Sequence, residues 1–339
     1  MIDGSRTVLL GAARRLGRWP GRAERVENGG WKMKIAYLVL AHMNPGVVER
    51  AIGALDSEDC AFFVHIDQKS DITKFSRIAG KNIFFTEKRV PVYWGQFSQV
   101  EAILLLLQKA MTGPDRYDYF ILVSGSDYPL RSASYISAFL REHYGTEFIS
   151  LVRVPSEAAG KPLSRMNTFV LPSNQPVRRF LVRAMAKLGL AKRDYRKYLG
   201  GLEAYSGSTW WALTREACQY ILDFNEGNPK VAGYFRNTFA SDEAYFHTIL
   251  GNSKFQSRIR RNLMYDDWTA RGASPETISD QHIARFGAQA EVTLDDVYGI
   301  GEALFARKFS DGQLALLETV DEMILRKEQV TLQAKGPGR

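Results

Sequence analysis

Long apolar runs, cysteines and phosphate-binding motifs are scarce or absent in this sequence of 339 residues. Apolar stretches such as Ala102 to Leu107 are far shorter than the roughly 18 residues that a membrane-spanning helix needs. Only Cys60 and Cys218 are available for disulfides, which favours a reducing compartment. These absences argue against a helical membrane domain within these residues and against a disulfide-rich secreted fold.

The motifs of three common nucleotide or metal sites are also missing. No Gly-x-Gly-x-x-Gly follows the first apolar run, which argues against a dinucleotide-dependent dehydrogenase. No Gly-x-x-x-x-Gly-Lys occurs, which argues against a P-loop NTPase. No histidines and cysteines are spaced as zinc ligands are.

The net charge of +8 lies mainly at one end of the chain. Residues 1–34 contain eight lysines and arginines against three acidic residues, so they hold +5 of that charge. Because residues 1–32 lack a strand or helix period, residues 1–33 are expected to form a flexible basic extension. Translation from Met33 is an alternative start. The charge is concentrated in this extension and one later segment, so no nucleic-acid partner is expected.

The remaining sequence indicates a globular α/β protein. With 45% apolar, 12% aromatic and 24% charged residues, the chain can bury one large core or two small ones. Apolar runs of strand length alternate with helical segments, which is typical of a mostly parallel central sheet with helices on both faces. The predicted strands are Lys34–Ala41, Cys60–Asp67, Ile83–Phe85 and Tyr119–Ser124, and the predicted helices are Val47–Leu55 and Gln99–Met111.

Polar residues follow three of the predicted strands. They are His42, the segment Asp67–Ser70 and the segment Ser124–Pro129. Because ligands of parallel α/β sheets bind beyond the carboxyl ends of the strands, we expect these loops to meet at one site.

Seven segments occur in an order that resembles one enzyme family. They are Phe63–Ser70, Trp94–Ser98, Leu122–Leu130, Tyr205–Trp211, Ser241–Glu243, Tyr265–Trp268 and Leu304–Phe309. Together they resemble the core-2/I-branching β-1,6-N-acetylglucosaminyltransferase family, which also contains peptide O-xylosyltransferases. The likeness spans about residues 34–310 and implies a catalytic domain there with a GT-A-type fold. It also implies inversion at the anomeric carbon and no metal ion or other cofactor.

The sequence agrees with a metal-independent site, because it contains no Asp-x-Asp pair of the kind that holds a cation in metal-dependent sugar transferases. Fixed cations must then neutralise the departing UDP. The resemblance implies Lys308 for this role, with a solvated lysine at a helix end as the alternative. It also implies an arginine, which is Arg285 or, as a competitor, Arg271.

Inversion requires a base that removes the proton of the acceptor hydroxyl, and the resemblance implies Glu243. The sequence also places Glu243 in the first turn of an apolar helix, with Ser241 as its N-cap. First-turn acids are commonly structural, which is the alternative. Asp242 is expected to be a cap or loop organiser.

Two more carboxylates are candidates for donor binding. Asp67 matches the residue that binds the uracil and ribose, with a turn-forming aspartate as the alternative. Asp127 is expected either to bind a hydroxyl of the donor sugar or to brace the turn at Gly125. His65 is expected to be a hydrogen-bonded core histidine.

The acceptor side is predicted from aromatic and small residues. Trp268 matches an acceptor-side aromatic residue of the family, and Ser206 and Gly207 match its acceptor-side loop, where a missing Cβ lets the backbone approach a ligand. Strand alternation turns one of Trp210 and Trp211 inward and the other outward, without indicating which faces the site.

Two segments are less well explained by the resemblance. Residues 176–200 carry eight basic residues against one acidic residue around a helical apolar stripe. Such a helix either lies on an anionic membrane surface or packs on the core with a solvated basic face. In the last region, residues 311–339, a helix from Leu314 to Ile324 is expected to pack on the catalytic domain, with a frayed end.

The sequence therefore predicts an inverting, metal-independent glycosyltransferase that moves a sugar, N-acetylglucosamine in the first instance, from a UDP-sugar to a glycan or lipid-linked saccharide hydroxyl. A UDP-xylose-dependent enzyme of the same family and a non-catalytic sugar-binding protein are the alternatives. The scarcity of cysteine indicates a bacterial-type, cytoplasmic member, in peripheral contact with the inner face of the membrane if residues 176–200 bind lipid.

Overall fold

The computed structural model describes residues 32–170, 180, 184, 192–270, 272 and 274–334. Buried strands alternate with helices in the first part of the chain, and every strand and helix predicted there is confirmed to within two residues. They are β1 (Ile35–Ala41), α1 (Pro45–Leu55), β2 (Cys60–Ile66), β3 (Ile83–Phe85), α2 (Ser98–Met111) and β4 (Tyr119–Ser124).

The rest of the described chain mixes short strands with helices. The elements are β5 (Asp127–Pro129), α3 (Ala133–Glu142), β6 (Glu147–Arg153), α4 (Ser164–Asn167), β7 (Tyr205–Thr214), α5 (Arg215–Gly227), α6 (Pro229–Phe235), α7 (Tyr245–Gly251), β8 (Ile259–Arg260), β9 (Met264–Asp266), α8 (Asp280–Ala288), β10 (Thr293–Asp296), β11 (Gly299–Glu302), β12 (Phe305–Arg307) and α9 (Leu314–Ala334).

Seven strands form the central sheet in the order β3-β2-β1-β4-β7-β6-β8. The strands from β3 to β4 are parallel, and β1 lies in register with both neighbours, so that Ile35 is opposite Cys60 and Tyr119. β7 runs antiparallel to β4 and β6. The predicted fold class, an α/β protein with a mostly parallel central sheet, is confirmed.

Successive side chains of a strand point to opposite faces of the sheet, and in β1 and β2 both sets are largely apolar. Helices cover both faces and bury them. α1 packs on the face that carries Tyr37 and Phe62. Phe63 points to the other face, where α2 contacts β1 and β2 and where Gly113, just beyond α2, lies against the Phe63 ring. The strands are thus buried on both sides, which explains their continuous apolar sequences.

A second core lies beside the small sheet of β5, β12 and β9. Leu317, Val320 and Met323 of α9 pack in this core with Phe286 of α8 and with Val47 of α1. The C-terminal helix therefore contributes to burying the elements that carry β12, and it extends ten residues beyond the predicted end at Ile324.

The predicted cap of the Glu243 helix is wrong. Ser241–Glu243 form a short 3-10 turn, and α7 begins only at Tyr245, after Ala244. The Ser241 hydroxyl is buried, has no hydrogen-bond partner among the described residues and caps neither element. Ala240, just before the turn, adopts a left-handed conformation with φ of 51°, which sets the direction of the turn.

Several predictions concern segments outside the described residues. They include the basic extension up to residue 31, most of the basic segment 176–200, Arg271 and the end of the chain after residue 334. In the part of the chain that the structure does describe, no helix is long and apolar enough to cross a membrane.

Candidate active site

A cleft of about 560 Å³ opens at the carboxyl edge of the central sheet. Residues that follow β1, β2 and β4 form part of its walls, namely His42, Met43, Asp67, Lys69 and Ser124–Ser126. The convergence predicted from three polar loops is therefore confirmed. Ser208–Trp210 of β7, the turn with Asp242 and Glu243, and the end of β12 complete the described walls.

The loop after β2 is held in place before any ligand binds. The buried Asp67 carboxylate accepts hydrogen bonds from the backbone N–H groups of Lys69, at 2.9 Å, and Val92, at 3.3 Å. Its other oxygen lies 2.9 Å from Lys69 Nζ. The Arg89 guanidinium donates to four backbone carbonyl groups of the same loop. Asp67 is thus a fixed acceptor in the wall and also organises its own turn.

His65 lies in the wall beside this loop. The Val90 N–H donates to Nε2 over 3.1 Å, so the neutral ring carries its proton on Nδ1. Burial lowers the pKa of His65 to about 4, which keeps the ring neutral. Nδ1 has no partner among the described residues. The expectation of a hydrogen-bonded core histidine therefore holds for Nε2 alone.

Two cations, Arg307 and Lys308, line another part of the cleft. The Arg307 guanidinium lies over the ring of Trp210, 4.2 Å from its centroid, and 3.5 Å from the buried Asp127 carboxylate. Burial and the neighbouring Arg307 charge lower the pKa of Lys308. Two partly desolvated like charges repel each other, so an anion placed between them would be stabilised.

Glu243 stands at a third position, held by two further cations. Its Oε2 lies 2.6 Å from Lys161 Nζ and also accepts a hydrogen bond from Arg165. Lys161 is itself buried and donates a second bond to the Gly207 carbonyl group. Both cations contact Oε2, which leaves Oε1 unengaged by them. The carboxylate is therefore oriented by the protein with one oxygen available.

Asp242, next to Glu243, is a more deeply buried carboxylate. Its Oδ2 accepts a hydrogen bond of 2.6 Å from the Thr209 hydroxyl group. Its Oδ1 has no hydrogen-bond partner in the described structure. Burial, followed by the Glu243 charge, raises the pKa of Asp242 to about 6. Of its two expected roles, helix cap or loop organiser, the bond to Thr209 of β7 agrees with the second.

Aromatic rings flank these polar groups. Trp210 lines the cleft, whereas Trp211 packs against Phe246 in the core, which decides between the two orientations left open by the sequence. Trp268 is 49% exposed at the cleft, and its indole N–H donates to Asp266. Trp94 is 74% exposed. Such exposed indole faces are suited to packing on the apolar faces of sugar rings.

The family is shown by a match over most of the folded chain. Residues 35–290 match the model of the family described as "Branch: Core-2/I-Branching enzyme". The chain belongs to the Core-2/I-Branching enzyme family.

Curated members of this family are similar to the chain at low identity. Xylosyltransferase 1 of Rattus norvegicus is 24% identical over 302 residues, which cover 82% of this chain and 34% of the relative. Xylosyltransferase 2 of Canis lupus familiaris is 26% identical over 321 residues, which cover 86% of this chain and 34% of the relative. The matched region thus spans about a third of the length of these relatives.

Solved structures resemble the chain only distantly. Mouse xyloside xylosyltransferase 1, in its apo form, has 9% identity and a TM-score of 0.36, covering 80% of this chain and 97% of its own. Glucosyl-3-phosphoglycerate synthase from Mycobacterium tuberculosis, in complex with Mn²⁺, UDP and phosphoglyceric acid, has 16% identity and a TM-score of 0.28, covering 59% of this chain and 62% of its own. Neither likeness is close enough to support a functional conclusion.

Four of the residues predicted from the family motifs lie together. Asp67, Glu243, Trp268 and Lys308 all line the one cleft, although they come from distant parts of the chain. The structure also brings His65, His42 and Trp94 to the same walls. The sites predicted for donor and acceptor are therefore parts of one continuous space.

Two predicted donor-binding residues do not line the cleft. Asp127 is buried and does not line the cleft; its carboxylate accepts hydrogen bonds from the Ser124 N–H, at 2.6 Å, and the Ser124 hydroxyl group, at 2.7 Å. Of its two expected roles, bracing the turn at Gly125 is the observed one. Arg285 donates to the Tyr265 hydroxyl group and covers its ring at 5.1 Å, away from the cleft walls. Its guanidinium is engaged in packing α8.

Ser206 and Gly207 also lie outside the cleft walls, so the structure does not support their predicted contact with an acceptor. The Ser206 hydroxyl donates to the Glu243 carbonyl group over 2.8 Å and so holds the turn. A Cβ on Gly207 would lie 1.6 Å from the Ser150 carbonyl oxygen. The absence of a side chain at Gly207 therefore makes room for the backbone of β6, at the point where the β6–β7 register shifts, and not for a ligand.

Sequence reasoning missed Arg307, Lys161 and Arg165. Arg307 stands inside the Leu304–Phe309 segment, where its adjacency to Lys308 was a usable signal. Lys161 and Arg165 follow β6 in a stretch with no motif, so only the fold reveals their contact with Glu243. Among the described residues, no group of three or more histidine, cysteine or acidic side chains is arranged to hold a metal ion.

Proposed function

We propose that this chain is an inverting glycosyltransferase that uses a UDP-sugar donor and needs no metal ion. Membership of the Core-2/I-Branching family supports a sugar-transfer activity. The observation that carries the proposal is the joint presence in one cleft of an oriented carboxylate, Glu243, and two fixed cations, Arg307 and Lys308. These groups supply what displacement of a diphosphate by a hydroxyl group requires.

In the proposed reaction, the acceptor hydroxyl oxygen attacks the anomeric carbon while its proton moves to Glu243 Oε1. The bond between that carbon and the β-phosphate oxygen breaks, and its electron pair leaves with UDP. The new negative charge on the diphosphate is stabilised by Arg307 and by Lys308, both of which are already partly buried. Attack on the face opposite to the leaving group inverts the anomeric centre.

Lys161 and Arg165 act on this chemistry by positioning Glu243. Both contact Oε2, so they fix the rotamer of the side chain and direct the proton to Oε1. The Ser206 hydroxyl group fixes the backbone of the same residue. Because both its side chain and its backbone are held by the protein, Glu243 keeps its position when the acceptor is absent.

The donor sugar is proposed to be xylose or N-acetylglucosamine. The similar curated proteins are named xylosyltransferases, which supports UDP-xylose at least as well as UDP-N-acetylglucosamine. The two donors differ at C2 and C5 of the sugar, so a few side chains around the transferred ring select between them.

The acceptor is proposed to be a hydroxyl group of a glycan, presented in the cytoplasm by a soluble or lipid-linked saccharide. The exposed Trp94 and Trp268 rings support a carbohydrate acceptor. Contact of residues 176–200 with anionic lipid is tested by liposome sedimentation of the triple variant Arg178→Glu, Arg179→Glu, Arg183→Glu. Binding lost in the variant supports membrane contact, and unchanged binding refutes it.

The experiment that tests the function is calorimetric binding and hydrolysis of a panel of UDP-sugars with EDTA present throughout. Selective binding of UDP-xylose or UDP-N-acetylglucosamine in EDTA would support the mechanism and identify the donor. Binding that requires added Mn²⁺ would refute metal independence. Failure to bind any UDP-sugar in either condition would refute the proposed function.

A further inference from the structure

The Asp242 carboxylate has one oxygen that the described protein does not use. Thr209 occupies Oδ2, whereas Oδ1 is buried and has no hydrogen-bond partner. A buried carboxylate oxygen without a donor is costly, because it loses its water and gains nothing in exchange. A ligand that donates a hydrogen bond to this oxygen would offset the cost.

Local structure does not account for this cost. The Asp242 backbone N–H and the nearby Lys161 charge favour the carboxylate, but burial and the Glu243 charge outweigh them, and the Lys161 ammonium group forms its ion pair with Glu243. The side chain nevertheless lines the cleft, so the space into which a donor can come is the cleft itself. The partner for Oδ1 is therefore sought in the substrate.

Contacts along one wall locate Asp242 relative to the reacting groups. Arg307 lies over Trp210, Trp210 follows Thr209 in β7, Thr209 bonds Asp242, and Asp242 precedes Glu243. Asp242 thus belongs to the same cleft wall as the cations proposed to hold the diphosphate and the carboxylate proposed as the base. In an in-line displacement, the sugar being transferred occupies the space between these two groups.

We propose that Asp242 Oδ1 accepts a hydrogen bond from a hydroxyl group of the transferred sugar, and that the Thr209–Asp242 pair thereby selects the donor sugar. This inference rests on the proposed function and adds a specificity-determining residue to it. Thr209 holds Asp242 in the required rotamer, so it acts as a positioning residue. The uridine diphosphate part of the donor makes no contact with the pair.

The test compares binding of UDP, UDP-xylose and UDP-N-acetylglucosamine to the wild type, to Asp242→Asn and to Thr209→Val by calorimetry. Asp242→Asn keeps the size of the side chain, and we expect it to weaken the binding of the preferred UDP-sugar by about 10- to 100-fold, as for a bond to a charged group. UDP affinity should stay unchanged. Thr209→Val should give a smaller loss with the same selectivity, and Asp223→Asn on the exposed surface of α5 serves as the matched control.

Deoxygenated UDP-sugars identify the hydroxyl group. For one of the monodeoxy donors, wild type and Asp242→Asn should bind equally, because the partner of Oδ1 is already absent. Equal loss of UDP and UDP-sugar affinity in Asp242→Asn, or no loss of either, would overturn the inference while leaving the transferase proposal intact. A wild type that binds UDP-xylose and UDP-N-acetylglucosamine no better than UDP would overturn the assignment of a sugar contact, and a wild type that binds none of the three would overturn the proposed function as well.

Discussion

Replacing Asp242 with asparagine should increase the free energy of unfolding at neutral pH, although Asp242 lines the cleft. The residue is 6% exposed, and its carboxylate receives a hydrogen bond from Thr209 and lies near the negative charge of Glu243. Its ionised form is therefore less favourable in the folded protein than in the unfolded chain. Residues kept for binding commonly carry such a cost in stability.

The magnitude follows from the pKa difference between the two states. The pKa of Asp242 is raised to about 6 in the folded protein, whereas an unfolded aspartate has a pKa of about 3.9. Because the folded state binds the proton more tightly, this residue's contribution to stability is greatest below about pH 4 and is lost as the pH rises through about 6. The full loss is about 3 kcal/mol, at about 1.4 kcal/mol for each pH unit between the two pKa values.

Urea denaturation followed by circular dichroism measures the effect at two pH values. Between about pH 5 and about pH 7.5, the wild type should lose roughly 1 to 2 kcal/mol relative to Asp242→Asn, since most of the ionisation in the folded state occurs in that interval. The control Asp223→Asn replaces an exposed aspartate of α5 and should track the wild type at both pH values.

A wild type more stable than Asp242→Asn near pH 7.5 by as much as near pH 5 would refute this reasoning. It would mean that Asp242 is ionised at little cost in the folded protein, through a donor to Oδ1 that the described residues do not provide. The same result would remove the reason for seeking its partner in the substrate.

Three further outcomes are expected. Glu243→Gln should reduce turnover by about 10²- to 10⁴-fold while UDP-sugar affinity is retained, measured by single-turnover transfer and calorimetry, and full activity would exclude Glu243 as the base. Arg307→Met or Lys308→Met should weaken UDP binding about 10-fold or more, whereas Arg285→Met should not, and the reverse pattern would restore Arg285 to the donor site. Gly207→Ala should fail to fold or lose several kcal/mol in thermal denaturation, because its Cβ would lie 1.6 Å from a backbone carbonyl oxygen of β6; a stability loss below about 1 kcal/mol would show that the two strands can separate.

The sequence predicted those strands and helices whose burial imposes a local pattern of apolar residues. The apolar runs at Ile35–Ala41 and Cys60–Ile66 are buried on both faces of a parallel sheet, and that burial imposes the continuous apolar sequence. The antiparallel placement of β7 between β4 and β6 follows from tertiary pairing and leaves no local signature. The cap predicted at Ser241 failed for a similar reason, since the left-handed Ala240 directs the turn in place of a side-chain bond.

The sequence predicted the site residues that stand in family motifs, but it did not predict the residues that hold them in position. Asp67 and Lys308 stand in segments whose resemblance to a family marks them, and both line the cleft. Gly207 stands in such a segment too. A missing Cβ allows either a neighbouring strand or a ligand to approach the backbone closely, and the sequence does not distinguish the two. Lys161 and Arg165 reach Glu243 across about 80 residues of chain, a contact that no spacing rule indicates.

In this cleft, the groups proposed to carry out the reaction are held by protein contacts, whereas the group proposed to select the sugar has an oxygen without a partner among the described residues. Arg307 is fixed by Trp210 at one end and Glu243 by its two cations at the other, so the groups proposed to hold the leaving group and to take the proton are ordered by the protein alone. Asp242 is held by Thr209 in the wall of the same cleft, and its Oδ1 has no hydrogen-bond partner among the described residues. A substitution at position 209 or 242 can therefore alter the sugar that is accepted without disturbing either end. If related enzymes with such a cleft use different donor sugars, we expect their sequences to differ at the positions of Thr209 and Asp242 more often than at those of the base or the cations.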